Sequence, residues 1–337
     1  MKTAHFFSIF LTAALGSMLE GVTLGDERDA AVRLQIHLDQ KLFGPGFIDG
    51  KPGTFTKKAI AAYNETVGRS PDDLDALQQE ADQAVKETYV VASCPQNARK
   101  FVNTSLPYKR AEQAKEEALY YRSYLEYMAE RYHTSEDVLI ELNGRKTAWA
   151  VRPGKTLFVP NVEPFLIEEI RSGRAYQAGE NGLDERRVVI DTKEKQIRVF
   201  APMDVSVASA GEAISVKPDY TSYRLIATFP TTPGQERYIH RGTWKVRNAV
   251  ECPTWRYDKQ MLKEGKRSKE YLNIPGGPNN PIGVMWFGLT KSGIGIHGTD
   301  SPRTIGRAQS SGCYRLANWD VARLPGLIRP GAVVEVK

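Results

Sequence analysis

Gly295-Ile296-His297-Gly298-Thr299-Asp300-Ser301-Pro302-Arg303-Thr304-Ile305-Gly306-Arg307-Ala308-Gln309-Ser310-Ser311-Gly312-Cys313-Tyr314-Arg315-Leu316 sets a histidine sixteen positions ahead of a cysteine and surrounds both with glycine and serine. A cysteine nucleophile needs a base to take its proton, a backbone that lets it face solvent, and nearby N–H donors for an oxyanion. Gly312, directly before Cys313, permits a positive φ or a close backbone approach, and Gly298 offers the same freedom beside His297. A single cysteine is also often a small buried hydrophobe, and a lone histidine is often structural. Spacing alone leaves both readings open.

The order of short motifs decides between them. Ile296-His297-Gly298-Thr299, Ser301-Pro302, Ile305-Gly306 and Ser310-Ser311-Gly312-Cys313-Tyr314-Arg315 together resemble the active-site signature of the L,D-transpeptidases, cysteine enzymes that cross-link bacterial peptidoglycan. Ser311 stands where many members of that family carry histidine. Tyr314 replaces a usual aliphatic residue and is expected at the pocket edge. Further matches follow in the family's order: Thr231-Thr232-Pro233-Gly234, Cys252-Pro253-Thr254-Trp255, Gly277-Pro278-Asn279-Asn280-Pro281-Ile282-Gly283, and Gly331 with Val333 to Val336. The resemblance spans about 185–337.

It implies a β-rich catalytic domain, a mixed sandwich or barrel with a short helix. Cys313 would be the nucleophile, and His297 its general base or its partner in a thiolate–imidazolium pair. N–H groups of Cys313 and of Gly312 or Tyr314 would hold the oxyanion, while Ser310 and Ser311 would bond the loop and substrate. Arg315 would anchor a substrate carboxylate, with a structural ion pair as the competing role. No metal or organic cofactor is required by this chemistry. The implied partners are peptidoglycan stem peptides and glycan, and the implied product is an L,D cross-link made through a thioester. Water as acceptor would make the protein an L,D-carboxypeptidase, and a protein amine would make it a wall-anchoring enzyme. A non-enzymatic peptidoglycan-binding protein is the alternative from another class.

A chain of 337 residues with 41% hydrophobic content has room for several domains with real cores. Lys2 followed by the apolar run Phe6 to Leu15 and small residues near Gly16 and Gly25 reads as a signal peptide over 1–25, hence export to the periplasm or cell wall. That run is too short to anchor the mature chain across a bilayer. Charge is uneven. From residue 185 onward 24 Lys and Arg stand against 14 Asp and Glu, a balance of +10, whereas the remainder has 22 against 26, or −4. A basic catalytic region attracts carboxylate-rich partners; its cations are scattered and no nucleic-acid motif accompanies them, which argues against nucleic acid. Cys94 and Cys252 either pair, leaving Cys313 free, or remain thiols. No metal-ligand spacing is present.

Four segments precede or make up the catalytic region. Over 26–70, Ala30, Leu34 and Leu38 fall at helical spacing with Ile36 adding apolar surface, and a second helix from Thr54 or Thr56 buries Phe55, Ala59, Ile60 and Tyr63. Leu34, Gln35, Leu38, Ile48-Asp49-Gly50, Gly53, Thr56 and Ala59-Ile60 resemble the small helical peptidoglycan-binding domain. Residues 71–124 read as a helical linker. Over 110–143 the pattern reads helical, and Tyr120, Tyr121, Tyr124, Tyr127 and Tyr132 form a stripe suited to core packing or, alternatively, to a sugar platform. Over 125–163, Met128 to Ser135, Val138 to Gly144 and Val151 to Pro160 resemble a lysin motif, an α+β glycan-binding module, with its opening strand available only from Thr88 to Ala92 across a long insertion. These two modules are expected to tether the enzyme to the wall. From Arg187 to the end, over 185–337, the period changes to strands, beginning with a hairpin over Val188–Asp191 and Gln196–Phe200.

Overall fold

The computed structural model describes residues 22–179, 181–203, 222–307 and 312–337. The expected signal peptide therefore lies outside the described residues as far as position 21. So do Ser310, Ser311 and Val205, Val207, Ile214 and Val216, whose spacing in the sequence suggests further short strands. No helix among the described residues is long and apolar enough to cross a membrane.

Three helices open the chain: α1 (Asp26–Gln40), α2 (Thr54–Thr66) and α3 (Leu74–Ala84). Asp26, Glu27 and Asp29 lie in the first turn of α1, where negative charge complements the exposed N–H groups. Asp73 caps α3 by accepting the Ala76 N–H at 3.1 Å, a bond worth about 1 kcal/mol. Leu34 and Leu38 pack against Ala59, Ile60 and Tyr63 of α2 and Leu77 and Ala81 of α3. Val32 and Ile36, on the other side of α1, are fully buried in the main core of the molecule. A helix with apolar residues buried on two faces is an internal element, so α1 is clasped between its own bundle and the rest of the protein.

Strand β1 (Tyr89–Ser93) pairs antiparallel with β2 (Thr156–Pro160), Tyr89 opposite Pro160 and Ser93 opposite Thr156. Between them lie α4 (Arg110–Gln113), α5 (Tyr124–Arg131), α6 (Glu136–Asn143) and α7 (Arg145–Trp149). Ser123 and Ser135 cap α5 and α6. The stretch 71–124 is thus more than a helical linker: beside α3, a 3-10 turn over Gln96–Lys100 and the single turn of α4, it contributes strand β1. Nor is 110–143 one helix. Tyr121 and Tyr127 meet edge to face at 5.4 Å with both rings buried, so this part of the tyrosine stripe is core.

The rest of the chain contributes β3 (Ala175–Tyr176), β4 (Arg187–Asp191), β5 (Gln196–Pro202), β6 (Tyr223–Pro230), β7 (Gly242–Glu251), β8 (Trp255–Tyr257), α8 (Lys259–Glu264), β9 (Leu272–Ile274), β10 (Met285–Leu289), β11 (Gly295–His297), β12 (Tyr314–Arg315), α9 (Asn318–Val321) and β13 (Val333–Val336). One sheet runs β12-β11-β10-β7-β13-β4-β5-β6, with β3 on β7, and β8–β9 form a separate ribbon. The pairs β11–β12 and β13–β4 are parallel. Just past β6, Thr232 donates to the Arg315 carbonyl at 2.9 Å and accepts from the Arg315 N–H at 3.0 Å. The last strand thereby meets the first, and the sheet curls shut.

The preceding modules are built into this domain. Leu42 and Gly44 bond Thr228 on the edge of β6, covering that strand and sparing it an open edge. Asp39 of α1, His133 after α5 and Arg323 of the catalytic domain form one buried cluster. Arg323 donates to the two Asp39 oxygens at 3.0 and 2.7 Å, and His133 Nδ1 lies 3.0 Å from Asp39 Oδ2. His133 also stacks on Trp319 at 5.7 Å. Burial would raise the Asp39 carboxyl, but Arg323 and His133 together hold it well below the usual carboxylate range. Its contribution is present above the unfolded value of about 3.9 and is lost as the pH falls below it. All three cysteines are free, so Cys94 and Cys252 are not paired.

These contacts make the region before the sheet a packing partner of the sheet domain. Asp39→Ala, which strands Arg323 in the interior, should cost about 3–5 kcal/mol in denaturant unfolding. Deleting residues 26–165 should lower the melting temperature of what remains. A truncated chain melting like the full one would refute the packing role.

Candidate active site

Strands β11 and β12 set Ile296 opposite Tyr314 and His297 opposite Arg315. Side chains alternate along a strand. Ile296 and Tyr314 are both fully buried on the core face, which turns His297, Cys313 and Arg315 to the other face. Two residues separated by a sixteen-residue step in sequence therefore share one face of two adjacent strands. The Tyr314 ring sits in the core and not at the pocket edge, because the alternation that exposes Cys313 must bury its neighbour.

His297 Nδ1 lies 2.6 Å from the Gly298 carbonyl. A carbonyl only accepts, so Nδ1 carries the proton and Nε2 keeps its lone pair. Trp286 of β10, opposite His297 in the register, stacks on its ring at 5.7 Å and 20°. Burial, with the Arg315 charge nearby, pulls His297 down to about 4 even though the Gly298 bond works the other way. The Cys313 thiol donates to the Gly293 carbonyl at 3.6 Å, and burial pushes it up to about 11. Both shifts favour uncharged forms. The resting pair is then thiol and imidazole, which suits a general base and disfavours a preformed ion pair.

Gly312 has φ +117°, with the Ile294 side chain and the Tyr238 carbonyl crowding the place of a Cβ. Only glycine fits there. Arg315 closes the sheet through its main chain, reinforced by the Thr231 hydroxyl on its carbonyl at 2.9 Å. Its side-chain Nε is buried without a hydrogen-bond partner, and no ion pair holds its guanidinium, among the described residues. A desolvated cation of this kind is available to a carboxylate. Among the described residues no cluster of three His, Cys, Asp or Glu could hold a metal ion.

Asn318 was not legible in the sequence. Its Oδ1 accepts the N–H groups of Val284 and Thr299, each at 3.2 Å, and presses so close that any side chain at Gly298 would overlap it. Close approach, more than conformational freedom, is what demands glycine beside His297. Trp286 and the Gly298 carbonyl were missed as well, since neither a stacking partner nor a main-chain acceptor leaves a residue-type signal.

Residues 185–336 match the YkuD family, the L,D-transpeptidase catalytic domain. YkuD of Bacillus subtilis (strain 168), named there as a candidate L,D-transpeptidase, is 40% identical over 65 residues, 19% of this chain and 40% of that protein. A Fuscovulum blasticum protein from the ATP synthase subunits region, named likewise, is 33% identical over 109 residues, 32% of this chain and 56% of its own length. The chain thus spans about half or less of these relatives. A crystal structure of Mycobacterium tuberculosis L,D-transpeptidase 1 aligns with 45% of this chain and 60% of that one, at 14% identity and a TM-score of 0.28. With a neutral thiol and imidazole, iodoacetamide should alkylate Cys313 slowly at pH 7 and faster as the pH climbs towards about 11. A rate plateau across neutral pH, followed by mass spectrometry of the Cys313 peptide, would instead indicate an ion pair.

Proposed function

We propose that the protein is an exported cysteine L,D-transpeptidase that acts on peptidoglycan stem peptides. The observation that carries this reading is the placement of Cys313 and His297 on one face of β11–β12, with His297 Nε2 left free by the Gly298 carbonyl. As substrate binds, His297 takes the Cys313 proton and the sulfur attacks the carbonyl preceding the terminal D-residue. Main-chain N–H groups around Gly312, Cys313 and Tyr314 hold the resulting oxyanion. His297 returns the proton to the departing amine, leaving a thioester. An amine from a second stem peptide then attacks, releases the thiol and forms the L,D cross-link. Arg315 is assigned to a substrate carboxylate, and Ser310 and Ser311 to the loop and substrate.

Export is supported by Lys2 and the apolar run Phe6 to Leu15. The pairing of β1 with β2 around α5 and α6 supports a lysin-type module and hence contact with glycan.

Cys313→Ala should abolish acyl-enzyme formation without lowering the melting temperature much. Retained cross-linking of purified disaccharide-peptides would overturn the mechanism. His297→Ala should slow acylation by about 10²–10⁴-fold, the usual worth of a general base. The wild-type rate should fall on acidification only below the ordinary histidine value of about 6.5, near 4. Products of the same incubation, read by mass spectrometry, distinguish a cross-link from simple loss of the terminal residue by hydrolysis.

A further inference from the structure

Glu130 lies on α5, outside the matched catalytic domain, and is buried. Its Oε1 accepts the Tyr121 hydroxyl at 2.8 Å and Asn318 Nδ2 at 3.0 Å. Asn318 Nδ2 also donates to the Pro278 carbonyl at 3.1 Å. With its NH2 group occupied by two acceptors, the amide cannot turn over, and Oδ1 is left facing the Val284 and Thr299 N–H groups.

The Thr299 N–H and the Gly298 C=O belong to a single peptide plane. In a trans peptide these two groups point in opposite directions. Holding the N–H on Asn318 therefore aims the carbonyl away from Asn318, and there it meets His297 Nδ1 at 2.6 Å. We propose that Glu130 is a positioning residue for the reaction: through Asn318 it locks the Gly298–Thr299 peptide and so keeps His297 in the Nδ1–H form, with Nε2 free for Cys313. This rests on the role given to His297 above. A module preceding the catalytic domain thus supplies part of the support for its base.

The groups facing Glu130 are Tyr121, Asn318, Glu126 and Asp300. No cation is among these four, and burial pushes the carboxyl up to about 8. Glutamine is then a close copy of the group as it stands at neutral pH, with the accepting oxygen retained. Leucine fills similar space and removes the acceptor.

Three measurements on the full chain test this. Histidine-ring 15N NMR reads the His297 tautomer. The pH profile of Cys313 alkylation by iodoacetamide reads what the base does to the thiol. Acylation by a stem tetrapeptide gives kcat and KM separately. Glu130→Gln should stay within about twofold of wild type in each, and Glu130→Leu should lose the Nδ1–H signature and lower kcat by about tenfold to a hundredfold with KM little changed, as expected for a misplaced catalytic group. Should Glu130→Leu fail to fold, the more flexible Glu130→Met also removes the acceptor, and the same losses are expected. A folded Glu130→Leu with the wild-type tautomer and kcat overturns the proposal, as does a Glu130→Gln equally impaired. The NMR and alkylation readings need no peptide substrate. A chain that positions His297 normally yet never acylates a stem peptide would defeat the functional reading and leave this one standing.

Discussion

Two main-chain hydrogen bonds between Thr232 and Arg315 hold the architecture of the site. The strand that follows the nucleophile is only two residues long, and so short a parallel pair contributes few bonds of its own. Left with one partner, it would expose an unpaired edge at the centre of the chemistry. The chain past β6 supplies the second partner, and the Thr231 hydroxyl adds a third bond to the same residue. Closure does two things at once. It pairs the edge of the sheet, and it fixes the register in which Cys313 and His297 come to share a face.

The joint between the modules and the catalytic domain is polar as well as apolar. The main core runs without a break from Val32 and Ile36 through Tyr121 and Met128 to Phe287 and Tyr314. Into it are set the Asp39–His133–Arg323 cluster and the Glu130–Asn318 contact. Apolar burial supplies most of the stability of such an interface but little direction. Buried hydrogen-bonded groups tolerate only one arrangement, since each broken bond leaves a desolvated partner. The polar contacts therefore set how the units sit, and one of them reaches the peptide beside His297.

Burial also sets the charge state of the catalytic pair. A thiol and an imidazole removed from water both resist ionisation, and among the described residues no carboxylate bonds His297 to stabilise an imidazolium. The Gly298 carbonyl orients the ring but offers only a partial charge. In the proposed mechanism, proton transfer then belongs to the reaction itself, when the substrate oxyanion gathers N–H donors, and not to the resting state.

The proposed chemistry could be read from the sequence because it depends on residue type. The string from Ile296 to Arg315 supplies the proposed nucleophile, its proposed base and the glycine before Cys313, and the hairpin over Val188–Phe200 follows from alternation and a turn. The strand opposite β2 was visible only as a distant option, because β1 and β2 are separated by more than sixty residues and pairing at that range leaves no local pattern. Ile36 was read as extra apolar surface on α1; what it packs against could not be known from a helical stripe. Tyr314 was misplaced for a related reason, since which face of β12 meets the core is decided by its neighbours in the sheet. Side-chain chemistry and short-range periodicity were enough for the candidate reacting groups, for α1 and α2, and for the first hairpin of the sheet. The bond of His297 to the Gly298 carbonyl, the Asn318 bond to the Thr299 N–H and the reach of Glu130 to Asn318 became visible with the fold, because a hydrogen bond between distant residues exists once the chain has brought them within about 3 Å.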